Sequence, residues 1–340
     1  MVLYRPSSIL FLIGLLNSLI YSQRYPNSEV NKLLDAGIEY VINQNYDLAK
    51  LKFSLLDKEF PELPFGKIYL AVVDITKTYD YGEEINSERL TKQLDDALEL
   101  SEKLIENNPD NIWNYYFAAL STGYKSYFKA LNGEWLSAIS NGVSSVNYFR
   151  DCLEMDSSFY ESYAALGTYK FWKSRKLEFS GWLPFLGDDS EIGIRYLERA
   201  LDKITYNRNL TAVLLIWIYI ENENFSRAIQ IAENELTMNP VSRALKWALA
   251  RAYEAVNPRK AIQLYSEIVI SYKQIPNQNH YQEIKLKHII AQQYAKIGVK
   301  NEALKLCIEI LSEQNLSENV RKKLADRLKR VIKLKNELLE

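Results

Sequence analysis

The stretch GIEYVINQNYDLAKLKFSLLDKEFP, Gly37 to Pro61, sets a small residue, an aromatic, a second small residue, a bulky one and a proline at fixed intervals. Counted from Gly37, the offsets are +3 for Tyr40, +12 for Ala49, +16 for Phe53 and +24 for Pro61. The stretch IWIYIENENFSRAIQIAENELTMNP repeats all four, with Ile216, Tyr219, Ala228, Ala232 and Pro240. Ala291, Tyr294, Ala303 and Cys307 repeat the first three. Each residue type has a physical reason for its place. Small residues let two antiparallel helices approach, the aromatic fills the gap beside them, and proline stops the second helix.

Working outward, the small residue of each first helix recurs at Gly37, Ala71, Ala119, Gly167, Ile216, Ala250 and Ala291. Two intervals are 34 residues and three are 48 or 49. The extra length falls between the two helices of units two to four. There the paired markers (Ala71 and Ala97, Ala119 and Ser145, Gly167 and Gly193) stand 26 apart, against 11 or 12 elsewhere. An insertion at a hairpin tip lengthens both helices by about two turns and leaves their packed base unchanged. The tips carry turn residues at Tyr81-Gly82, Asn132-Gly133 and Gly187-Asp188.

This pattern resembles the tetratricopeptide repeat over residues 29–316, although Asp74, Thr122 and Lys170 replace the expected tyrosine in the three long units. The resemblance implies an all-α, right-handed solenoid of about seven helical hairpins. It also implies that first helices line a concave groove, where such proteins hold peptides. Residues 317–340 read as one amphipathic helix that Ser317 caps, with Val320, Leu324, Leu328, Val331, Leu334 and Leu338 on its apolar stripe. Such a helix covers the open end of a stack. Asn108-Pro109, Asn239-Pro240 and Asn257-Pro258 mark helix ends.

Residues 1–22 stand apart. Arg5 precedes an apolar run from Ile9 to Ile20, which reads as a secretory signal peptide cut after Ser22. An uncleaved anchor is the alternative. The run is short for a membrane span, and no other apolar stretch of that length follows, so no integral span is expected after cleavage. The implied location is exported, periplasmic or secreted. Cys152 and Cys307 fall on apolar helix faces and read as core residues rather than a disulfide.

Composition narrows function less. A net charge of −1 gives no basic excess to recommend nucleic acid as partner. Residues 74–110 are acidic and the last helix is basic; both read as solvated outer faces. His280 and His288 have no metal-ligand spacing, and no nucleophile elbow or phosphate loop occurs. Asp188, Asp189 and Glu191 read as the cap of a helix starting near Ser190. No cofactor, metal or catalytic constellation is expected.

Aromatics carry the functional reading. Tyr116, Trp172, Trp217, Trp247 and Arg251 lie on first helices and are the candidate groove residues, since aromatic and arginine anchors dominate binding surfaces. The tip FSGWLPFLG, residues 179–187, is apolar for a loop, and Trp182, Leu183 and Phe185 form a second candidate surface. The expected function is a non-enzymatic scaffold for a protein or peptide. The alternatives are a receptor for a small molecule or glycan, an enzyme accessory protein, and a self-associating subunit.

Overall fold

The structure, a computed structural model, describes residues 23–84, 86–180, 189–203 and 206–340. Among these residues there are fifteen α-helices and no strand. In chain order they are α1 (Ser28–Ile42), α2 (Tyr46–Glu59), α3 (Phe65–Tyr81), α4 (Ser87–Asn107) and α5 (Ile112–Leu131). Next come α6 (Trp135–Met155), α7 (Tyr160–Ser180), α8 (Ser190–Leu201), α9 (Arg208–Glu221) and α10 (Phe225–Met238). The last are α11 (Arg243–Val256), α12 (Pro258–Lys273), α13 (Tyr281–Lys296), α14 (Lys300–Ser312) and α15 (Glu318–Leu339).

Local chemistry sets many of these limits. Asn27, Asn86, Asn111, Asn224, Ser242 and Ser317 each accept a hydrogen bond from a backbone amide of the helix they precede. Asn257 ends α11 and caps α12, whose first residue is Pro258, so two helices meet across a single residue. Gly82 closes α3 in the left-handed region, at φ 68°, where a side chain is strained. Asp189 precedes α8, but its carboxylate pairs with Lys170 at 3.0 Å instead of capping the helix.

The small residues of the repeat sit where helices touch. Gly37 faces the Phe53 ring so closely that a Cβ has no room. Gly167 and Gly193 face each other across α7 and α8, and a Cβ built on either lies 2.6–2.7 Å from the carbonyl oxygen of the other. The three positions lacking tyrosine are used differently. Asp74 pairs with Lys50 and Arg89, Lys170 with Asp189, and Thr122 is buried and bonds the Ala118 carbonyl.

Consecutive helices pack in order along the chain. The odd-numbered helices also touch one another, α3 with α5, α7 with α9 and α9 with α11. No even-numbered pair does so to a comparable extent. The stack therefore curves with its odd helices inside. Helices α3 to α7 run 17–21 residues, whereas α1, α2 and α8 to α14 run 12–16.

The extra length of α3 has a structural consequence. Its last turn reaches the far end of the stack, where the Asp80 carboxylate meets Arg243 of α11 and Tyr272 of α12. Gln282 of α13 donates to the Tyr79 carbonyl at 2.9 Å, and Lys323 of α15 donates to the Gly82 and Glu83 carbonyls. The solenoid thus curls back on itself. Two of the acids expected on solvated faces are instead paired and largely covered, with side chains 16% (Asp74) and 13% (Asp80) exposed. Helix α15 lies on α14 and α13, with Val320, Leu324 and Val331 buried.

Candidate functional site

The inner face divides into two halves with opposite character. Over α3, α5 and α7 it is filled. Phe65, Trp113, Tyr116, Phe117 and Phe159 are all buried there, and their rings meet edge to face at 4.6–5.4 Å. The chain's own N-terminal segment completes this packing. The Tyr25 ring stands 5.4 Å from both Phe65 and Trp113, and its amide donates to the Tyr206 hydroxyl at 2.8 Å.

Beneath that seal lies a buried carboxylate. Glu161 accepts from the Tyr116 hydroxyl at 3.0 Å, from Asn207 Nδ2 at 2.7 Å and from the Tyr206 amide. Burial raises the carboxyl's pKa against the lowering effect of these donors. The network ties α5 and α7 to the start of α9, so its role is internal cohesion.

The other half, over α9, α11 and α13, remains partly open. Trp217 and Trp247 are half-buried, and Arg251 is exposed. Lys285 lies on the Trp247 ring, its Nζ 4.7 Å from the ring centroid, a cation–π geometry. No acidic side chain lies within ion-pair distance of it among the described residues. Acids of α11, α13, α14 and α15 pair elsewhere: Glu254 with Arg251 and Tyr265, Asp326 with Lys329, and Glu283 and Glu309 with Lys287.

Two more basic groups flank Lys285. Arg327 of α15 donates to the Lys285 carbonyl at 3.4 Å and lies 3.3 Å from His288 Nδ1. As Arg327 can only donate, Nδ1 is the acceptor and the proton sits on Nε2. That Nε2–H is buried without an acceptor. Burial first, then the Arg327 charge, pulls the Lys285 pKa down to about 8. Burial, Arg327 and Arg330 together hold His288 at about 4. The arrangement is a set of donors and positive charges beside an aromatic face, and what it lacks is an anion.

The sequence-derived groove residues are dispersed between these regions. Tyr116 is fully buried in the Glu161 network and lines no open surface. Trp172, on α7, is 38% exposed and packs its ring against Phe171. Trp217 and Trp247 border the open half, and Arg251 pairs with Glu254 at its edge. Trp182, Leu183 and Phe185 lie outside the described residues.

Sequence reasoning missed Tyr25, Lys285 and Arg327, and for His288 it read only the lack of metal-ligand spacing. A lysine at an inward position of a first helix was the available signal. Its lack of a partner is visible only in three dimensions. Among the described residues no group of His, Cys, Asp or Glu is placed to hold a metal, and no helix is long and apolar enough to cross a membrane. Cys152 and Cys307 are free and buried.

No family model matches this sequence, and no curated protein matches it. Solved structures do. The Cut9–Hcn1 hetero-tetramer of the APC/C is similar at a TM-score of 0.51 and 12% identity; the match covers 88% of this chain and 54% of that one. This chain therefore spans about half of that protein's length. YrrB, described as a TPR protein with an unusual peptide-binding site, is similar over 68% of this chain and all of that one, at a TM-score of 0.44 and 13% identity. A human IFIT1 dimer with PPP-AAAA gives 0.46 and 16% over 82% of this chain and 58% of that one. The fold is the tetratricopeptide-type helical-hairpin solenoid.

Proposed function

We propose that this solenoid is a non-enzymatic scaffold whose open inner half, between Trp247, Lys285 and Arg327, holds an acidic segment of a protein partner. One observation carries the reading: Lys285 is seated on Trp247 with no carboxylate to neutralise it. A half-buried cation without a counter-charge is costly in a free protein, so a site that keeps one gains most from an anionic ligand. Trp247 adds an apolar surface of the kind that anchors binding hot spots. A chain net charge of −1 favours a protein over a nucleic acid as that partner. The apolar run from Ile9 to Ile20 behind Arg5 supports action outside the cytoplasm.

Titration of tryptophan fluorescence with glutamate-rich, lysine-rich and uncharged peptides tests this. The expected result is saturable binding of the acidic peptide only, weakened at least tenfold in Lys285→Ala and in the double change Trp217→Ala, Trp247→Ala. Equal binding of acidic and basic peptides, or unchanged affinity in a folded Lys285→Ala protein, overturns the assignment.

A further inference from the structure

The filled half of the inner face has an unusual occupant. Residues 23–27 precede the first helix, yet Gln23 and the Tyr25 amide bond residues 133 to 181 positions away. Gln23 Nε2 donates to Asp156 Oδ2 and Ser158 Oγ at 3.2 Å each, and Gln23 Oε1 accepts from the Tyr160 amide at 2.6 Å. The Arg24 guanidinium lies over the Tyr206 ring, 5.5 Å from its centroid. Tyr25 inserts its ring between Phe65, Trp113 and Phe117, and its amide donates to the Tyr206 hydroxyl. The Tyr25 carbonyl accepts from Asn31 Nδ2 at 2.7 Å.

These contacts divide into the two kinds that peptide recognition uses. Backbone groups of the segment are read by polar side chains, and alternate side chains enter separate pockets. Gln23 and Tyr25, two residues apart, point to two different seats: the turn before α7 and the aromatic cluster of α3 and α5. The segment's ties to α1 are the Asn27 cap, the Asn31 bond and the Arg24 pair with Asp35, whereas the seats of Gln23 and the Tyr25 ring lie on other elements.

We infer that the inner face over α3, α5 and α7 is a peptide-binding site for an extended segment presenting glutamine and tyrosine two residues apart, and that residues 23–27 are its resident ligand. A peptide of this type then binds in trans only when the resident segment leaves. Its apparent affinity is its intrinsic affinity reduced by the fraction of empty seats. The inference stands whether or not the other half of the inner face binds an acidic segment, because the two share no residue.

The test uses the labelled peptide QRYPNS and its tyrosine-to-alanine counterpart QRAPNS, with binding read by fluorescence anisotropy. Tyr25→Ala in the full chain empties the aromatic seat and is expected to bind QRYPNS at least tenfold more tightly than the unsubstituted chain, and QRAPNS not measurably. Gln23→Ala, which removes only the three side-chain hydrogen bonds, is expected to bind with intermediate affinity and guards against a Tyr25→Ala chain that fails to fold. Three outcomes overturn the proposal: no gain in QRYPNS binding by either folded variant, equal binding of the two peptides, or equal affinity of the unsubstituted and substituted chains.

Discussion

Asp80 and Arg243 are 163 residues apart and form a two-pronged ion pair that closes the solenoid. Arg243 Nε donates to Asp80 Oδ1 at 3.1 Å, and Nη2 donates to Oδ2. The same carboxylate accepts from the Tyr272 hydroxyl at 2.6 Å and the Tyr46 hydroxyl at 2.8 Å. Both ion-pair side chains are nearly covered, at 13% and 10% exposure. The four donors come from α2, α11 and α12, so one carboxylate joins the first hairpin to the sixth.

Removing one partner of such a pair strands the other charge. Asp80→Asn is expected to cost about 3–5 kcal/mol in urea unfolding, while the double change Asp80→Asn, Arg243→Gln costs less than the sum of the single changes. Small-angle scattering of the single variant should show a larger radius of gyration, because the curl loses its clasp. An additive double change would show that the pair is energetically independent of closure.

His288 gives stability a dependence on mild acid. Its folded pKa, about 4, lies below the ordinary histidine value, so the unfolded chain takes up the proton first. Stability attributable to His288 is therefore complete above about pH 6.5, falls as pH drops toward 4, and is level below that. The full effect is on the order of 3 kcal/mol, and His288→Gln should flatten this part of the pH–stability curve. Glu283 enters only at the acid end of that window. Burial alone would raise its pKa, but bonds from Lys287, Gln278 and His280 hold it near 2, so its loss begins only below about pH 4.5.

Lys285 gives acidic-ligand binding a dependence on mild base. Its ammonium deprotonates near pH 8 in the free protein, so affinity for an acidic peptide should fall as pH rises past that value. Lys285→Arg, charged throughout, should move the fall-off above pH 10. Stability of the free protein takes the opposite sign. The folded pKa lies below the unfolded one, so stability rises between about pH 8 and 10.5.

The glycine contacts separate packing from backbone strain. Gly193→Ala puts a methyl 2.6 Å from the Gly167 carbonyl oxygen and 2.9 Å from the Phe171 amide. Backbone on both sides cannot yield, and a loss of about 3 kcal/mol is expected. Gly133→Ala meets nothing within 4 Å but must hold φ at +78°, at a cost of about 1 kcal/mol. Chemical denaturation of the two variants should keep that order.

The repeat was legible because it is enforced locally. Gly37 against Phe53 and Gly167 against Gly193 are contacts within one hairpin, and a fixed spacing along the chain is enough to specify them. The helix end at Asn257-Pro258 and the cap at Ser317 were legible for the same reason. The site was read less well. Tyr116 and Trp247 occupy the same kind of inward position on a first helix, yet one is sealed beneath Glu161 and Tyr206 while the other borders an open face. Which outcome each meets depends on residues far away in sequence.

The sequence by itself determined an all-helical hairpin stack, since helix period, small-residue contacts and proline stops act over a few turns. Only the tertiary structure decided how far that stack curls, which part of its inner face the segment at Tyr25 fills, and where a lysine is left without a counter-charge. Those outcomes are sums of small rotations between successive hairpins and of meetings such as Asp80 with Arg243. No local pattern along the chain encodes a contact across 163 residues.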